Sequence, residues 1–251
     1  MLISLIVPAD IPLWMLSVAV IFAVIFGKEV FGGTGMNIMN PALLTRAFLF
    51  FAYPAHMSGN NVWIVDKPDV VSGATPLSSL AAGEIDKLPS VFDMFFGFIP
   101  GSIGETSVFA ILLGALILLY TGIGSFRIMI STFAGGLFMG LVLNLVGANS
   151  YMDIPAYYHL LMGGFVFGAV FMATDPVTAT QTAKGKYIYG FLIGVFAIII
   201  RVLNPAYPEG MMLSILFMNI MSPLIDHYVI QSHIKYRIKR ANKLRIKSVN
   251  F

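Results

Sequence analysis

The sequence predicts an all-α membrane protein, a multi-span helical bundle with interrupted half-helices and an internal repeat. Of its 251 residues, 58% are hydrophobic and only 11% are charged, whereas soluble domains carry about 25% charged residues. Apolar runs that approach membrane length recur along the chain. Asn40-Pro41 and Asp175-Pro176 each follow a hydrophobic segment and stand where a short helix is expected to begin. Together these observations predict the fold class.

The apolar runs define the expected spans. The longer runs cover residues 13–26, 108–121, 128–146, 157–172, 187–203 and 211–225. The runs 42–53 and 92–99 are shorter, and we expect half-helices or interfacial helices there. Residues 1–7 are already hydrophobic and have no basic segment before them, so they do not resemble a signal peptide.

Composition excludes several classes of function. The chain has no cysteine, which excludes disulfides and thiolate-ligated metal or iron–sulfur sites. Its net charge of +3 is not that of a nucleic-acid-binding protein. Much of the positive charge lies in one tail, which holds Lys235, Arg237, Lys239, Arg240, Lys243, Arg245 and Lys247.

Charge also predicts the orientation. The basic tail is expected to be cytoplasmic by the positive-inside rule, and counting spans backward places residues 58–107, which are rich in acidic side chains, outside. We therefore expect a single transmembrane domain over residues 1–234, with an external loop at 58–107, and a basic cytoplasmic tail at 235–251.

Thr75 lies in this external loop, in the segment VSGATPL at 71–77. A threonine followed by proline is typical of a helix start, with Thr75 as the N-cap and Pro76 as the first helical residue. A helix N-terminus favours a phosphate group, and an ordinary capped turn is the alternative for the same residues.

Two segments of the chain resemble each other. A hydrophobic run precedes Asn40-Pro41 and a short helix, and the run 157–172 precedes Asp175-Pro176 and a short polar helix. Paired interrupted helices indicate a binding site built from half-helix ends, while two capped turns at the membrane surface are the alternative.

Longer motifs carry a specific resemblance. They are GKEVFGGTG at 27–35, RAFLFFAYP at 46–54, SGAT at 72–75, GSIGETS at 101–107, FMATDPV at 171–177, RVLNPAYPEGMM at 201–212 and PLIDH at 223–227. Over nearly its whole length the chain resembles the NqrB/RnfD family, and within it the B subunits of the sodium-translocating NADH:quinone oxidoreductase. It is less similar to the related RnfD proteins of the Rnf complex, with which it shares SGAT.

The resemblance implies two flavin cofactors in a bacterial cytoplasmic membrane. A flavin transferase attaches FMN as a phosphoester to the family threonine that matches Thr75, on the outer face. A non-covalent riboflavin lies toward the cytoplasmic side, where Asn37, Asn40 and Asp175 match polar residues of the family. Their alternative role is to cap helices.

The resemblance also implies a quinone site and a sodium path. Phe48 and Phe50 match residues linked with quinone, although aromatic runs in membrane helices usually serve packing. Asp226 matches an acid implicated in sodium uptake, and an intramembrane acid is a functional candidate. An ion pair with the tail is the alternative.

The family context implies the partners and the activity. The other reductase subunits, quinone, sodium ion and membrane lipid are the expected partners. Family members have a longer N-terminal segment, so we expect this chain to be the C-terminal portion, by truncation or a misplaced start, and to be inactive alone. The alternatives are an Rnf-type electron-transport subunit and a urea-transporter-like channel without a redox role.

Overall fold

The computed structural model describes residues 2–57, 75–84, 88–149, 151–204 and 209–249, with side chains up to residue 242. Within these ranges the chain forms eleven α-helices and no strand. The helices are α1 Leu2–Ile6, α2 Leu13–Gly27, α3 Pro41–Ala52, α4 Pro76–Ala81, α5 Val91–Phe96, α6 Val108–Tyr120, α7 Phe126–Val146, α8 Ala156–Leu161, α9 Phe165–Phe167, α10 Ala183–Leu203 and α11 Met211–Val249. The predicted all-α class is confirmed.

Four helical segments are long and apolar enough to cross a membrane. They are Leu13–Phe31, Phe126–Val146, Ala183–Leu203 and Met211–Asn242. The shorter apolar helices α3 and α6 accompany them. The chain is therefore a multi-pass membrane protein, and most predicted span boundaries agree with helix ends to within a few residues.

The closest backbone approach in the bundle is between α7 and α10. A Cβ atom added to Gly194 would lie 2.2 Å from the backbone oxygen of Thr132, and one added to Gly135 would lie 2.1 Å from the backbone oxygen of Phe191. Small residues at such positions let two membrane helices pack backbone against backbone. This pair forms the rigid centre against which the interrupted helices pack.

The run 157–172 was expected to be one continuous span, and this prediction was wrong. The chain forms α8, breaks at Met162–Gly164, and continues as α9 and a π-helical turn at Gly168–Met172. Gly163 lies in the break with φ at +63°, a conformation that favours glycine. The interruption therefore falls within the apolar run as well as after it.

The two halves of the predicted repeat differ at their polar ends. Asn40 caps α3, accepting from the backbone N–H of Ala42 at 3.0 Å, as expected. The short polar helix expected after Asp175-Pro176 is absent among the described residues, which form turns there. The Asp175 carboxylate instead accepts from the backbone N–H of Val177 at 3.2 Å and from the Thr178 hydroxyl at 3.0 Å.

The described part of the segment 58–107 contributes to the core. Helices α4 and α5 lie in it, and Leu77, Leu80, Met94 and Ile99 are buried in the main hydrophobic cluster. At the other end of the chain, α11 continues through residue 234 into the basic tail without interruption. Side chains from Lys243 onward lie outside the described ones.

Candidate functional site

Thr75 begins α4 in the wall of a cleft. Its hydroxyl oxygen accepts a hydrogen bond from the backbone N–H of Ser78 at 3.2 Å, and Pro76 is the first helical residue. The predicted N-cap is thereby confirmed, although residues 72–74 of the motif lie outside the described residues. The surrounding space, which we call the Thr75 cleft, is lined by Thr75, Pro76, Leu77, Ile99, Pro100, Gly101, Ser102, Glu105, Thr106, Gly163 and Glu209.

One arginine binds the two carboxylates of this cleft. Arg46, on α3, donates one hydrogen bond to Glu105 and another to Glu209. Glu105 also accepts from the Ser102 hydroxyl at 2.8 Å. The Arg46 side chain is 4% exposed, Glu105 is 11% exposed and Glu209 is 27% exposed. This pairing joins α3 to the segments on both sides of the cleft.

Glu209 lies outside the membrane-spanning helices, in the connection that precedes α11. Burial raises the pKa of its carboxyl from the ordinary 4.5 to about 7. Arg46 opposes this shift by attraction, Glu105 adds to it by repulsion, and Arg201 opposes it. The protein therefore strongly favours the protonated form of this carboxyl compared with water.

A second buried arginine holds the break between α8 and α9. Arg201, on α10, is 1% exposed and donates to the backbone oxygens of His159 and Met162. Its Nη2 also lies 3.4 Å from the backbone oxygen of Glu209. Arg201 thus binds the carbonyls left open where α8 ends and links them to the residue that lines the Thr75 cleft.

A larger space lies at the start of α3. This space, the Asp175 cavity, has a volume of about 480 Å³ and is lined by Leu2, Ile3, Asn40, Pro41, Ala42, Leu118, Ile123, Gly124, Phe171, Thr174, Asp175 and Pro176. Asn40 and Asp175, predicted to share a pocket, do line one cavity. Its other walls come from the end of α6 and the π-helical turn.

Asn37 is not among the residues that line the Asp175 cavity. It lies in the connection before α3, and its side-chain oxygen is buried without a hydrogen-bond partner among the described residues. The sequence grouping of Asn37 with Asn40 and Asp175 is therefore supported for the latter two residues. The role of Asn37 in ligand binding stays a prediction.

Phe48 and Phe50 lie within aromatic packing around α3. The ring of Phe48 is 4.7 Å from that of Phe22 on α2 and 6.4 Å from that of Tyr53. The ring of Phe50 is 5.6 Å from that of Phe51. The contact of Phe48 with Phe22 packs α2 against α3, and the quinone role of Phe48 and Phe50 stays a prediction.

Asp226 binds the start of α10. Its carboxylate accepts from the backbone N–H of Gln181 at 2.8 Å, from that of Thr182 at 3.0 Å and from the Thr182 hydroxyl at 2.6 Å. Thr182 is itself the N-cap of α10. The sequence predicted that Asp226 lies on a sodium path or forms an ion pair with the tail. Neither prediction includes these hydrogen bonds to the start of α10.

The loops between the helices form two groups that match the orientation predicted from charge. The Thr75 cleft contains Thr75, residues of the segment 101–106 and Glu209, and counting spans back from the cytoplasmic tail places all of these outside. The Asp175 cavity joins Gly124 to Asp175, and Asp226 binds Thr182, all expected inside. The grouping supports the order of spans, while the side on which each group lies stays a prediction.

Sequence reasoning overlooked the two buried arginines and Glu209. In the sequence, Arg46, Arg201, Glu105 and Glu209 stand only within the longer family motifs at 46–54, 101–107 and 201–212. One signal was available, because a charged residue within an apolar run is a functional candidate. The partners could not be read from the sequence, since 163 positions separate Arg46 from Glu209.

Comparison with known proteins identifies relatives over nearly the whole chain. The chain is 51% identical over 242 residues to the Na(+)-translocating NADH-quinone reductase B subunit of Chromohalobacter salexigens, covering 94% of this chain and 58% of that protein. It is 53% identical to the protein of the same name from Ectopseudomonas mendocina, covering 95% of this chain and 60% of the relative. The corresponding protein of Azotobacter vinelandii is 51% identical, with the same coverage. The chain thus spans about three fifths of the length of these curated relatives.

The family assignment covers almost the whole chain. A sequence model described as the NQR2, RnfD, RnfE family matches residues 1–235, which include all the described helices up to the protruding part of α11. Both the Thr75 cleft and the Asp175 cavity fall within that match. The chain therefore belongs to the NQR2, RnfD, RnfE family.

Proposed function

We propose that this chain forms the flavin-carrying membrane part of the B subunit of a sodium-translocating NADH:quinone reductase. The observation that carries the proposal is the position of Thr75, whose hydroxyl oxygen lies at the start of α4 in the wall of an accessible cleft. The relatives named above, at 51–53% identity, favour this function over that of an Rnf subunit.

The Thr75 cleft fits the attachment of FMN through its phosphate. The Thr75 side chain is partly exposed, and its oxygen keeps a lone pair for the Ser78 N–H after the hydroxyl proton has been replaced by phosphorus. Arg46 neutralises part of the charge of Glu105 and Glu209, which would otherwise repel the phosphate. When bound, FMN would supply an electron-carrying ring at the cleft.

The Asp175 cavity fits a non-covalent flavin such as riboflavin. Its volume of about 480 Å³ lies within the usual range for ligand sites, roughly 300–1,000 Å³. The amide nitrogen of Asn40 lies 3.8 Å from the sulfur of Met172, a weak acceptor that a ligand carbonyl can replace. Asp175 can accept from a flavin N–H or from ribityl hydroxyls. Riboflavin there would supply a second redox centre.

Helix α3 connects the two proposed flavin sites. Asn40 caps its start in the Asp175 cavity, and Arg46, six residues later, binds the carboxylates of the Thr75 cleft. Six residues of helix correspond to about 9 Å along the axis. A helix whose start lies in one site and whose middle binds the carboxylates of the other would keep the two sites at a fixed separation, as electron transfer between two cofactors requires.

The remaining roles belong to the same proposal. Phe48 and Phe50 would contribute to a quinone site, and Asp226 to a sodium path coupled to the redox reaction. The other reductase subunits, membrane lipid, quinone, sodium ion and the flavin transferase are the proposed partners. The chain would work only with those subunits, in a bacterial cytoplasmic membrane.

A fluorescence test examines the flavin attachment directly. The chain is co-expressed with a flavin transferase, separated by denaturing electrophoresis and viewed under ultraviolet light. We expect a fluorescent band for the chain without substitutions and for Thr106→Ala, a change at a second threonine of the same cleft. Thr75→Ala should give no fluorescent band. A fluorescent band for Thr75→Ala would contradict the attachment site. A band without fluorescence for the chain without substitutions would favour a channel without a redox role.

A further inference from the structure

We propose that Glu209 is a proton-binding residue of the Thr75 cleft, which exchanges its proton with the outer solution and thereby sets the charge of the cleft. The proposal rests on the proposed function only for the identity of the group that occupies the cleft. The proton site itself follows from the arrangement of four charged side chains beneath Thr75.

Two carboxylates share one guanidinium in this arrangement. Arg46 donates one hydrogen bond to each of Glu105 and Glu209. Glu105 has a further hydrogen-bond donor in the Ser102 hydroxyl at 2.8 Å. The two carboxylates are close enough to the same guanidinium to repel each other, so one of them is the natural place for a proton.

Access distinguishes the two carboxylates. Glu209 is 27% exposed, whereas Glu105 is 11% exposed and Arg46 is 4% exposed. Glu209 lines the Thr75 cleft and also a smaller neighbouring space, whose walls include Arg46, Met172 and Ile215. Protons can therefore reach Glu209 from the cleft.

The other groups around Glu209 define its electrostatic surroundings. Arg46 faces it from α3, Glu105 from the segment before α6, and Arg201 from α10. Tyr151 and His159 lie behind Arg201. Helix α11 contributes Met211 and Met212, and α4 contributes Leu77, all neutral. Burial and Glu105 raise the pKa of Glu209 despite both arginines, to about 7.

The arrangement has a consequence for any anionic group at Thr75. A phosphate brought to the cleft adds negative charge beside two carboxylates, and the repulsion is strong where water is scarce. Protonation of Glu209 lowers this repulsion by one charge and frees Arg46 to bind Glu105 more fully. Attachment at Thr75 should therefore raise the pKa of Glu209 further, because it adds a nearby negative charge.

Infrared spectroscopy of the membrane-embedded chain tests the proton site. The carbonyl stretch of a protonated carboxyl is followed as the pH is raised, using Thr75→Ala, which lacks the attachment oxygen. In Thr75→Ala we expect a carbonyl band that disappears around neutral pH. This band should be absent from the double variant Thr75→Ala/Glu209→Gln. It should persist in the control Thr75→Ala/Glu29→Gln, which changes an exposed glutamate. A near-neutral band that survives Glu209→Gln would overturn the assignment.

The chain without substitutions provides a test that needs no folded Glu209 variant. If no carboxyl titrates near neutral pH in this chain, the proposal is overturned. With a flavin transferase present, the pH at which the Glu209 carboxyl loses its proton should be higher than in Thr75→Ala. If covalent flavin is confirmed and the titration of Glu209 does not move, the expected effect of attachment on its pKa is overturned. If the chain never gains flavin, the proposed function is contradicted, and the titration of Glu209 in that chain still tests the proton site.

Discussion

The guanidinium of Arg201, on α10, donates a hydrogen bond to the backbone oxygen of His159, near the end of α8. A second hydrogen bond goes to the backbone oxygen of Met162 at 3.2 Å. The last carbonyls of a helix have no partner within the helix and carry partial negative charge. Arg201 supplies both the donors and the positive charge, so an interrupted helix can end inside the protein.

Removing this guanidinium should destabilise the fold. In Arg201→Met the carbonyls of His159 and Met162 lose their donor, and each buried group left unpaired costs about 1–3 kcal/mol. Arg201→Lys should recover only part of this, because one ammonium group does not reproduce the fork of two nitrogens. Thermal unfolding in detergent measures the effect. Arg127→Met, at an exposed arginine of α7, should change stability by no more than about 0.5 kcal/mol, and equal effects at the two positions would contradict this account.

The contact between α7 and α10 should tolerate no added methyl group. In Gly194→Ala the new Cβ would lie 2.2 Å from the backbone oxygen of Thr132 and 2.5 Å from the backbone nitrogen of Gly136. Backbone atoms cannot rotate away as a side chain can, so the clash can be relieved only if the two helices move apart. We expect this to cost about 1–3 kcal/mol or more.

A matched change at another helical glycine provides the control. In Gly114→Ala on α6 the Cβ would lie 2.6 Å from an atom of the Phe171 ring, and a side chain can rotate away. Alanine also gains about 1 kcal/mol of helix propensity over glycine. Unfolding measurements should therefore rank Gly194→Ala as the more damaging change. The reverse order would show that α7 and α10 are not in close backbone contact.

The sequence predicted what local chemistry determines. Asn40 and Thr75 each precede a proline, and both cap a helix as the local pattern indicates. The break at Gly163 was missed because the run 157–172 is apolar throughout and hydrophobicity does not record helix ends. The pairing of Arg46 with Glu105 and Glu209 was missed because it joins three distant segments. Only their meeting at one cleft identifies them as a group.

Residues that line the Asp175 cavity should control non-covalent flavin content. Asp175→Ala removes a carboxylate from the cavity wall, and we expect less riboflavin to co-purify while the covalent flavin at Thr75 is unchanged. Asn37→Ala should have a smaller effect, because Asn37 does not line the cavity. Extraction and chromatography of the released flavin, beside in-gel fluorescence, separates the two pools. Unchanged riboflavin in Asp175→Ala would favour a purely structural role for this residue.

Asp226 is a candidate both for binding sodium and for stabilising the start of α10. Its carboxylate accepts from two backbone N–H groups and one hydroxyl at the start of α10. Asp226→Ala should therefore lower stability by about 0.5–2 kcal/mol, the usual cost of losing a helix cap, as measured by thermal unfolding. In the assembled complex the same variant should also change the sodium dependence of NADH oxidation, if the proposed sodium path is correct.

Thr182→Val separates these two roles of Asp226. It removes the hydroxyl that binds Asp226 and that accepts from the Gly185 N–H, but it leaves the carboxylate in place. If the acid acts only by holding the start of α10, both variants should lose stability and shift the sodium dependence together. If the acid binds sodium, Thr182→Val should lose stability with little change in sodium dependence, and Asp226→Ala should raise the sodium concentration needed for half-maximal activity. A sodium dependence that neither variant changes would remove Asp226 from the proposed path and leave it as a helix cap.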